Sequence, residues 1–224
     1  RKSNDANGSV FQAFQSSPLG KMYNDDGTPR FSVTQDGLLL NPMADYIWDS
    51  YRWDDKRWTG LVNAFTEFKI LPELTYRLNL GTNFNLRTTK DSSGFYSLAR
   101  NLGTPTASVA DYVSTLGLVE NIVTYNKTFN EDHQLTVTAI QGFQSERIET
   151  TGAGVSDLPY EPSRYHNIGS ASQVTGVSSD LIETALLSYA GRVFYGFKSK
   201  YLLTLSLRAD GASQFSEDHK WGYF

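Results

Sequence analysis

Residues 74–87 read LTYRLNLGTNFNLR, and this stretch decides the fold. Its even positions, Leu74, Tyr76, Leu78, Leu80, Thr82, Phe84 and Leu86, are apolar or nearly so. Its odd positions, Thr75, Arg77, Asn79, Gly81, Asn83, Asn85 and Arg87, are polar or glycine. A period of two puts the two sets on opposite faces of a β-strand. The alternation outlasts the five or six residues of an ordinary strand, so the question is what needs so long a two-sided wall.

The neighbouring segments repeat the pattern. Trp58, Gly60, Val62, Ala64, Thr66, Phe68 and Ile70 share a face, with Asn63, Glu67 and Lys69 on the other and Leu61 and Phe65 interrupting it. Leu71-Pro72-Glu73 joins this strand to the quoted one. Further strands are expected at 118–129 and 133–146, joined through Asn130-Glu131-Asp132, and at 185–197 and 201–210, joined through Lys198-Ser199-Lys200. In the last pair Leu187, Tyr189, Val193, Tyr195 and Phe197 go with Tyr201, Leu203, Leu205 and Leu207. Ser188, Arg192, Thr204, Ser206, Arg208 and Asp210 share the opposite side. Three hairpins therefore result (58–87, 118–147 and 185–210), separated by long polar stretches at 88–117 and 147–184. Residues 1–57, rich in turn formers such as Asn24-Asp25-Asp26-Gly27, read as an external loop region preceding the first strand.

A membrane barrel explains all of this. In hydrocarbon the backbone must satisfy itself, so a spanning sheet closes on itself. A tilted strand crosses in about 9–11 residues, apolar toward lipid and polar toward the lumen, with short turns at one end and long loops at the other. The fold class expected is all-β, an antiparallel transmembrane β-barrel segment of about six long strands, with lumen-facing candidates Arg77, Asn79, Asn83, Asn85, Arg87, Arg192 and Arg208. The alternative is a secreted or surface β-sandwich that binds glycans; it also alternates, but with shorter strands and turns every 8–12 residues.

Composition sets the outer bounds. Of 224 residues 39% are hydrophobic and 13% aromatic, and no apolar run reaches the length of a membrane helix. A net charge of −4 argues against a nucleic-acid partner. The absence of cysteine excludes disulfides and thiol chemistry. The three histidines, His133, His166 and His219, have no ligand spacing, and no acid pair marks a hydrolase, so neither a metal, a cofactor nor a catalytic residue is expected. Asn7-Gly8-Ser9 and Asn126-Lys127-Thr128 match a glycosylation pattern that recurs by chance. The chain opens on RKSNDANGSV and closes on HKWGYF, and the expectation is an internal piece of something longer.

In 45–58, DYIWDSYRWDDKRW, aromatics interleave with charges. Tyr46, Trp48, Tyr51 and Trp53 are candidates for stacking on a substrate at the external side; the other reading is an aromatic girdle at the membrane rim.

The segment ALLSYAGRVFYGFKSKYLLTLSLRADGASQFSEDHKWGYF (185–224) resembles the SusC/RagA family of TonB-dependent outer-membrane transporters. Tyr189, Gly191 and Arg192, the lysine turn, Tyr201-Leu202-Leu203-Thr204, then Arg208, Asp210, Gly211, Ser213, Phe215 and Lys220-Trp221-Gly222 follow the family's order and spacing. Ala209 and Ala212 depart from it, where relatives often carry polar residues. FTEFKILPELTYRLNLG (65–81) and SPLGKMYNDDG (17–27) also look like that family. The resemblance implies a 22-stranded barrel in the outer membrane of a Gram-negative bacterium, filled by a plug domain that is absent from this chain. It implies a SusD-like lipoprotein as lid, TonB acting through the missing plug, and non-enzymatic import of oligosaccharides or peptides.

Overall fold

In a computed structural model of the chain, residues 2–3, 13–14, 16 and 18–224 are described. Asn7-Gly8-Ser9 and most of the proposed loop start lie outside them. The described residues form one eight-stranded antiparallel sheet in which every strand pairs with its neighbours in chain order. The strands are β1 (Lys2–Ser3), β2 (Tyr51–Leu71), β3 (Leu74–Ser93), β4 (Thr106–Phe129), β5 (His133–Ser156), β6 (Gln173–Phe197), β7 (Tyr201–Ala212) and β8 (Trp221–Tyr223). One short helix, α1 (Ala44–Ile47), precedes β2, and a 3-10 helix at Glu161–Ser170 lies between β5 and β6. No helix among the described residues is long and apolar enough to cross a membrane.

The strands outrun the lengths that periodicity suggests. β2 to β6 have 20 to 25 residues against an expected 10–14, and β2 begins at Tyr51 instead of Trp58. The stretches read as loops at 88–117 and 147–184 are mostly strand, leaving 94–105 and 157–172 as connections. The reason is visible in the residues. TTKDSS (88–93), TASVADYVSTLG (106–117) and QVTGVSSDLIET (173–184) carry β-branched residues that favour extended backbone, but no one-sided apolar row.

The tight turns fall where the sequence places them. Asn130 and Glu131 (φ 47° and 63°), and Lys198 and Ser199 (φ 52° and 53°), are left-handed pairs, the two-residue turn whose twist matches flanking strands. Ion pairs join successive hairpins at their turns: Glu73, between β2 and β3, to Lys127 of β4 at 3.6 Å, and Asp132, between β4 and β5, to Lys198 after β6 at 3.7 Å.

The chain divides into two compact units, and β2 to β6 contribute residues to both. The first gathers Arg1–Trp58, Leu86–Tyr112 and Glu149–Asp180. It holds every buried apolar side chain among the described residues, with a cluster of Ala107, Val155, Leu158 and Tyr165 packed by Val109, Ile168 and Ala171. The Tyr165 hydroxyl donates to Asp54, and burial followed by that carboxylate pushes the phenol above its ordinary range. Two small hairpins, bridged at Tyr23–Pro29 and Ser32–Leu40, are tied together by Asn41, which is fully buried. Its amide donates to the carbonyls of Met22 (3.2 Å) and Arg30 (2.8 Å) and accepts from the Met43 N–H (3.0 Å).

At the hairpin tips Asp26 accepts from Thr28 and Asp36 from Thr34 and Leu38, and these bonds hold both carboxyls below the usual carboxylate range. A depressed folded pKa stabilises above the unfolded value and ceases to as pH falls through the folded one. Protection of the amides at 26–28 and 36–38, measured against their intrinsic exchange rate at each pH, is therefore expected to fall only once pH drops below the usual carboxylate range, and D26N/D36N to abolish that dependence.

The second unit, Thr59–Asn85, Val113–Ile148 and Leu181–Phe224, contains no buried apolar side chain among the described residues. Its large apolar groups stand exposed: Leu80 is 46% accessible, Leu205 60% and Leu207 67%. A sandwich needs a second layer over that face, and the described chain supplies none.

Candidate functional site

Each unit offers its own candidate surface: the second its two-sided sheet, the first its aromatic region. Sidedness is fixed by register where β6 meets β7. Val193 faces Leu205, Tyr195 faces Leu203 and Phe197 faces Tyr201, while Ser188 faces Asp210, Ala190 faces Arg208 and Arg192 faces Ser206. Directly paired residues share a face, so the apolar and polar sets fall on opposite sides as the alternation requires.

The apolar face continues across β2 to β5. Phe68 stacks on Tyr76 with ring centroids 6.3 Å apart, and a side chain at Gly60 would meet the Phe84 ring. Val62, Ala64, Leu80, Thr82, Val119 and Phe143 line one shallow groove on it. A polar chain interrupts it: Tyr76 Oη donates to Asn121 Oδ1, and Asn121 Nδ2 donates to Gln141 Oε1, both at 2.6 Å. Four residues beyond Phe143 and Leu187 along their strands, Arg147 pairs with Glu183 at 2.8 Å.

The polar face carries the lumen candidates, most of them bonded within the wall. Arg77 lies 4.2 Å over the Phe65 ring and donates through Nε to Asn79 (2.8 Å), which donates to Glu120 (3.1 Å). Arg87 grips Asp55 with two parallel bonds, Nε–Oδ1 at 3.1 Å and Nη2–Oδ2 at 3.0 Å, the geometry in which guanidinium is strongest. Arg208 Nε donates to both oxygens of Asp210 (2.9 and 2.8 Å), and its Nη2 lies 3.5 Å from Ser188 Oγ. Asn85 accepts from Thr59 at 3.4 Å, Asn83 is exposed, and Arg192 sits beside Thr136, Thr138 and Phe194. These residues share a face without converging on one point. No group of three or more His, Cys, Asp or Glu among the described residues is placed to hold a metal ion.

The four aromatic candidates separate. Trp48, just past α1, stacks on Tyr96 (centroids 5.0 Å, planes 15° apart), and Phe31 meets both edge-on. Tyr46 is exposed on α1, Tyr51 is hydrogen-bonded to Asp91, and Trp53 pairs in register with Ser3. Tyr96 and its neighbour Phe95, in the connection after β3, escape a reading based on alternation because they belong to no periodic run.

No family model matches the chain. Among curated proteins it is 28% identical over 225 residues to TonB-dependent receptor P3 of Formosa agariphila, a match covering 96% of this chain and 21% of that protein. It is 29% identical over 175 residues to TonB-dependent receptor P39 of the same organism, covering 76% and 16%. It is 28% identical over 187 residues to TonB-dependent receptor SusC of Bacteroides thetaiotaomicron, covering 82% and 18%. The chain thus spans about a fifth of the length of these relatives, which are receptors and not enzymes. Among solved structures it superposes on the RagAB peptide transporter with a TM-score of 0.76 at 16% identity, covering 88% of this chain and 22% of that one. The RagAB peptide importer in its closed-closed state gives 0.75 at 15%, covering 93% and 25%. Fold and sequence comparisons point the same way as the motif in 185–224: the chain is similar in sequence to a stretch of TonB-dependent receptors that include SusC, and similar in fold to a stretch of the RagAB transporter.

Proposed function

We propose that this chain is part of the wall of a 22-stranded, plugged outer-membrane importer of oligosaccharides or peptides in a Gram-negative bacterium. A SusD-like lipoprotein would cover it externally, and TonB would drive it through a plug on another part of the polypeptide. The observation that carries the reading is the exposed apolar row of the second unit, paired strand to strand and facing away from the arginines.

The dimensions agree. The run Leu74–Leu86, at about 3.3 Å per residue and a tilt near 40°, rises roughly 30 Å, close to the apolar band of such barrels. The charged pairs at the turns and Arg147–Glu183 bound this band at its two ends. Toward the lumen, Arg77, Arg87, Arg192 and Arg208 with Asn79, Asn83 and Asn85 keep the wall wet. Their bonds to Asp55, Glu120 and Asp210 favour a role in holding the wall over direct contact with cargo.

The test is fractionation of a Gram-negative host expressing the full-length protein. It should be found in the outer membrane, be released only by detergent, and run faster on gels unheated than boiled. Deleting its gene should abolish growth on the imported oligosaccharide or peptide. Recovery in the soluble fraction would overturn the reading in favour of the glycan-binding sandwich.

A further inference from the structure

We propose that the cleft between β3 and the 3-10 helix is a binding site for a segment of neutral oligosaccharide, an inference that rests on the importer reading. The cleft has a volume of about 480 Å³, within the range of small-ligand sites, and is bordered by Trp48, Ser50, Ser93, Tyr96, Glu161 and Arg164. All of these belong to the first unit.

Four features converge there. The first is an aromatic wall set before any ligand arrives: Trp48 lies flat on Tyr96, and Phe31 and Phe95 brace that ring edge-on at 6.0 and 5.1 Å. A sugar's C–H face packs on such rings. The second is Ser50, only 6% exposed, whose hydroxyl has no hydrogen-bond partner among the described residues. A buried hydroxyl left unpaired is costly, and a ligand hydroxyl relieves that cost.

The third is charge. Arg164 is engaged by the carboxylate and carbonyl of Asp49, which neutralises that pair. Glu161 is left as one net negative charge. Its Oε2 accepts from the Phe95 N–H at 3.1 Å, and its Oε1 occupies the space that a side chain on Gly94 would need. This carboxylate accepts from sugar hydroxyls and repels sulfated or uronic glycans. The fourth is rigidity under strain. Asp49 (φ 49°) and Arg164 (φ 51°, ψ −134°) hold backbone conformations rare for residues other than glycine, and they hold each other. Strand addition, one route by which an extended peptide docks, is closed here because β3 lies between β2 and β4 with both edges taken.

The experiment is titration calorimetry on the full-length transporter in detergent. The probes are five- to eight-unit neutral glucan, mannan and xylan oligosaccharides, alginate oligomers as anionic glycans, and a casein digest. At least one neutral oligosaccharide should bind, and alginate and peptide should not. Trp48→Ala should weaken binding roughly tenfold. Because Trp48 also packs against Phe31, two gentler variants carry the test. Ser50→Ala should leave the melting temperature unchanged or higher while weakening binding several-fold. Glu161→Gln keeps the acceptor for Phe95 and should lose neutral-sugar affinity while admitting alginate. Absence of any neutral-glycan binding, binding of peptide alone, or affinities indifferent to Ser50→Ala and Glu161→Gln would overturn the site. Such a result from a detergent-extracted, heat-modifiable protein leaves the importer reading standing; a protein recovered as soluble overturns that reading itself.

Discussion

Replacing Leu80 with arginine is expected to destabilise the folded barrel by about 2–4 kcal/mol, the cost of a cationic side chain near the bilayer midplane of an outer-membrane barrel. Leu80 is central in the Leu74–Leu86 run, stands exposed, and shares its groove with Val62, Ala64 and Phe143. An arginine there must reach toward the headgroups or carry water into the hydrocarbon. Three residues on, Asn83 is also exposed but lies on the opposite face, where Asn83→Arg should change stability by no more than about 0.5 kcal/mol. Urea titration of the full-length protein folding into phospholipid vesicles, followed by the heat-dependent gel shift, measures both variants. The contrast between them is the point, since a soluble sheet with two wet faces accepts arginine equally at both positions. Equal costs would remove the lipid-facing assignment.

The second large effect is expected in the first unit, at Asn41. Its side chain is wholly buried, and from the end of the second small hairpin its amide satisfies two carbonyls of the first, Met22 and Arg30, and the N–H at the entry to α1. Asn41→Ala removes three hydrogen bonds and leaves the Arg30 carbonyl and the Met43 N–H without their partner, a loss of about 3 kcal/mol. The loss should stay local. Amide exchange and protease cleavage between residues 21 and 43 should rise sharply, while the urea midpoint of the barrel remains where it was. Unchanged protection of that segment would mean that the hairpins are held by something other than this amide.

The sequence carries the strands of the second unit more completely than those of the first, and the difference has a physical origin. Where hydrocarbon is to be met on one side, only one face may be polar, so alternation becomes strict and Leu74–Arg87 can be read by eye. The paired turns are equally legible, because Asn130-Glu131 and Lys198-Ser199 are short polar breaks between long runs. Beyond the apolar band that demand lapses. Residues 106–117 and 173–184 continue as strands without a one-sided apolar row, and polarity disguises them as loops. The aromatic candidates show the same limit. Trp48 is found from composition, yet its stacking partner Tyr96 lies 48 positions away, and Glu161 and Arg164 lie further still. Only the fold brings them together. Alternation puts Arg192 and Arg208 on the face opposite the apolar row of β6 and β7, but the carboxylates that hold the other candidates, Asp55 for Arg87 and Glu120 for Asn79, stand on other strands and carry no local signature.

The Tyr76–Asn121–Gln141 chain, set among hydrocarbon side chains, has a consequence for assembly. In water those amides could exchange partners freely, but in a bilayer a misaligned neighbour would strand each of them with nothing to bind. Sliding β4 along β5 by one residue would swap the two faces, and sliding it by two would part Asn121 from Gln141. Three uncharged groups thus proofread the alignment of adjoining strands as the wall closes, at the one place where an error cannot be repaired by solvent.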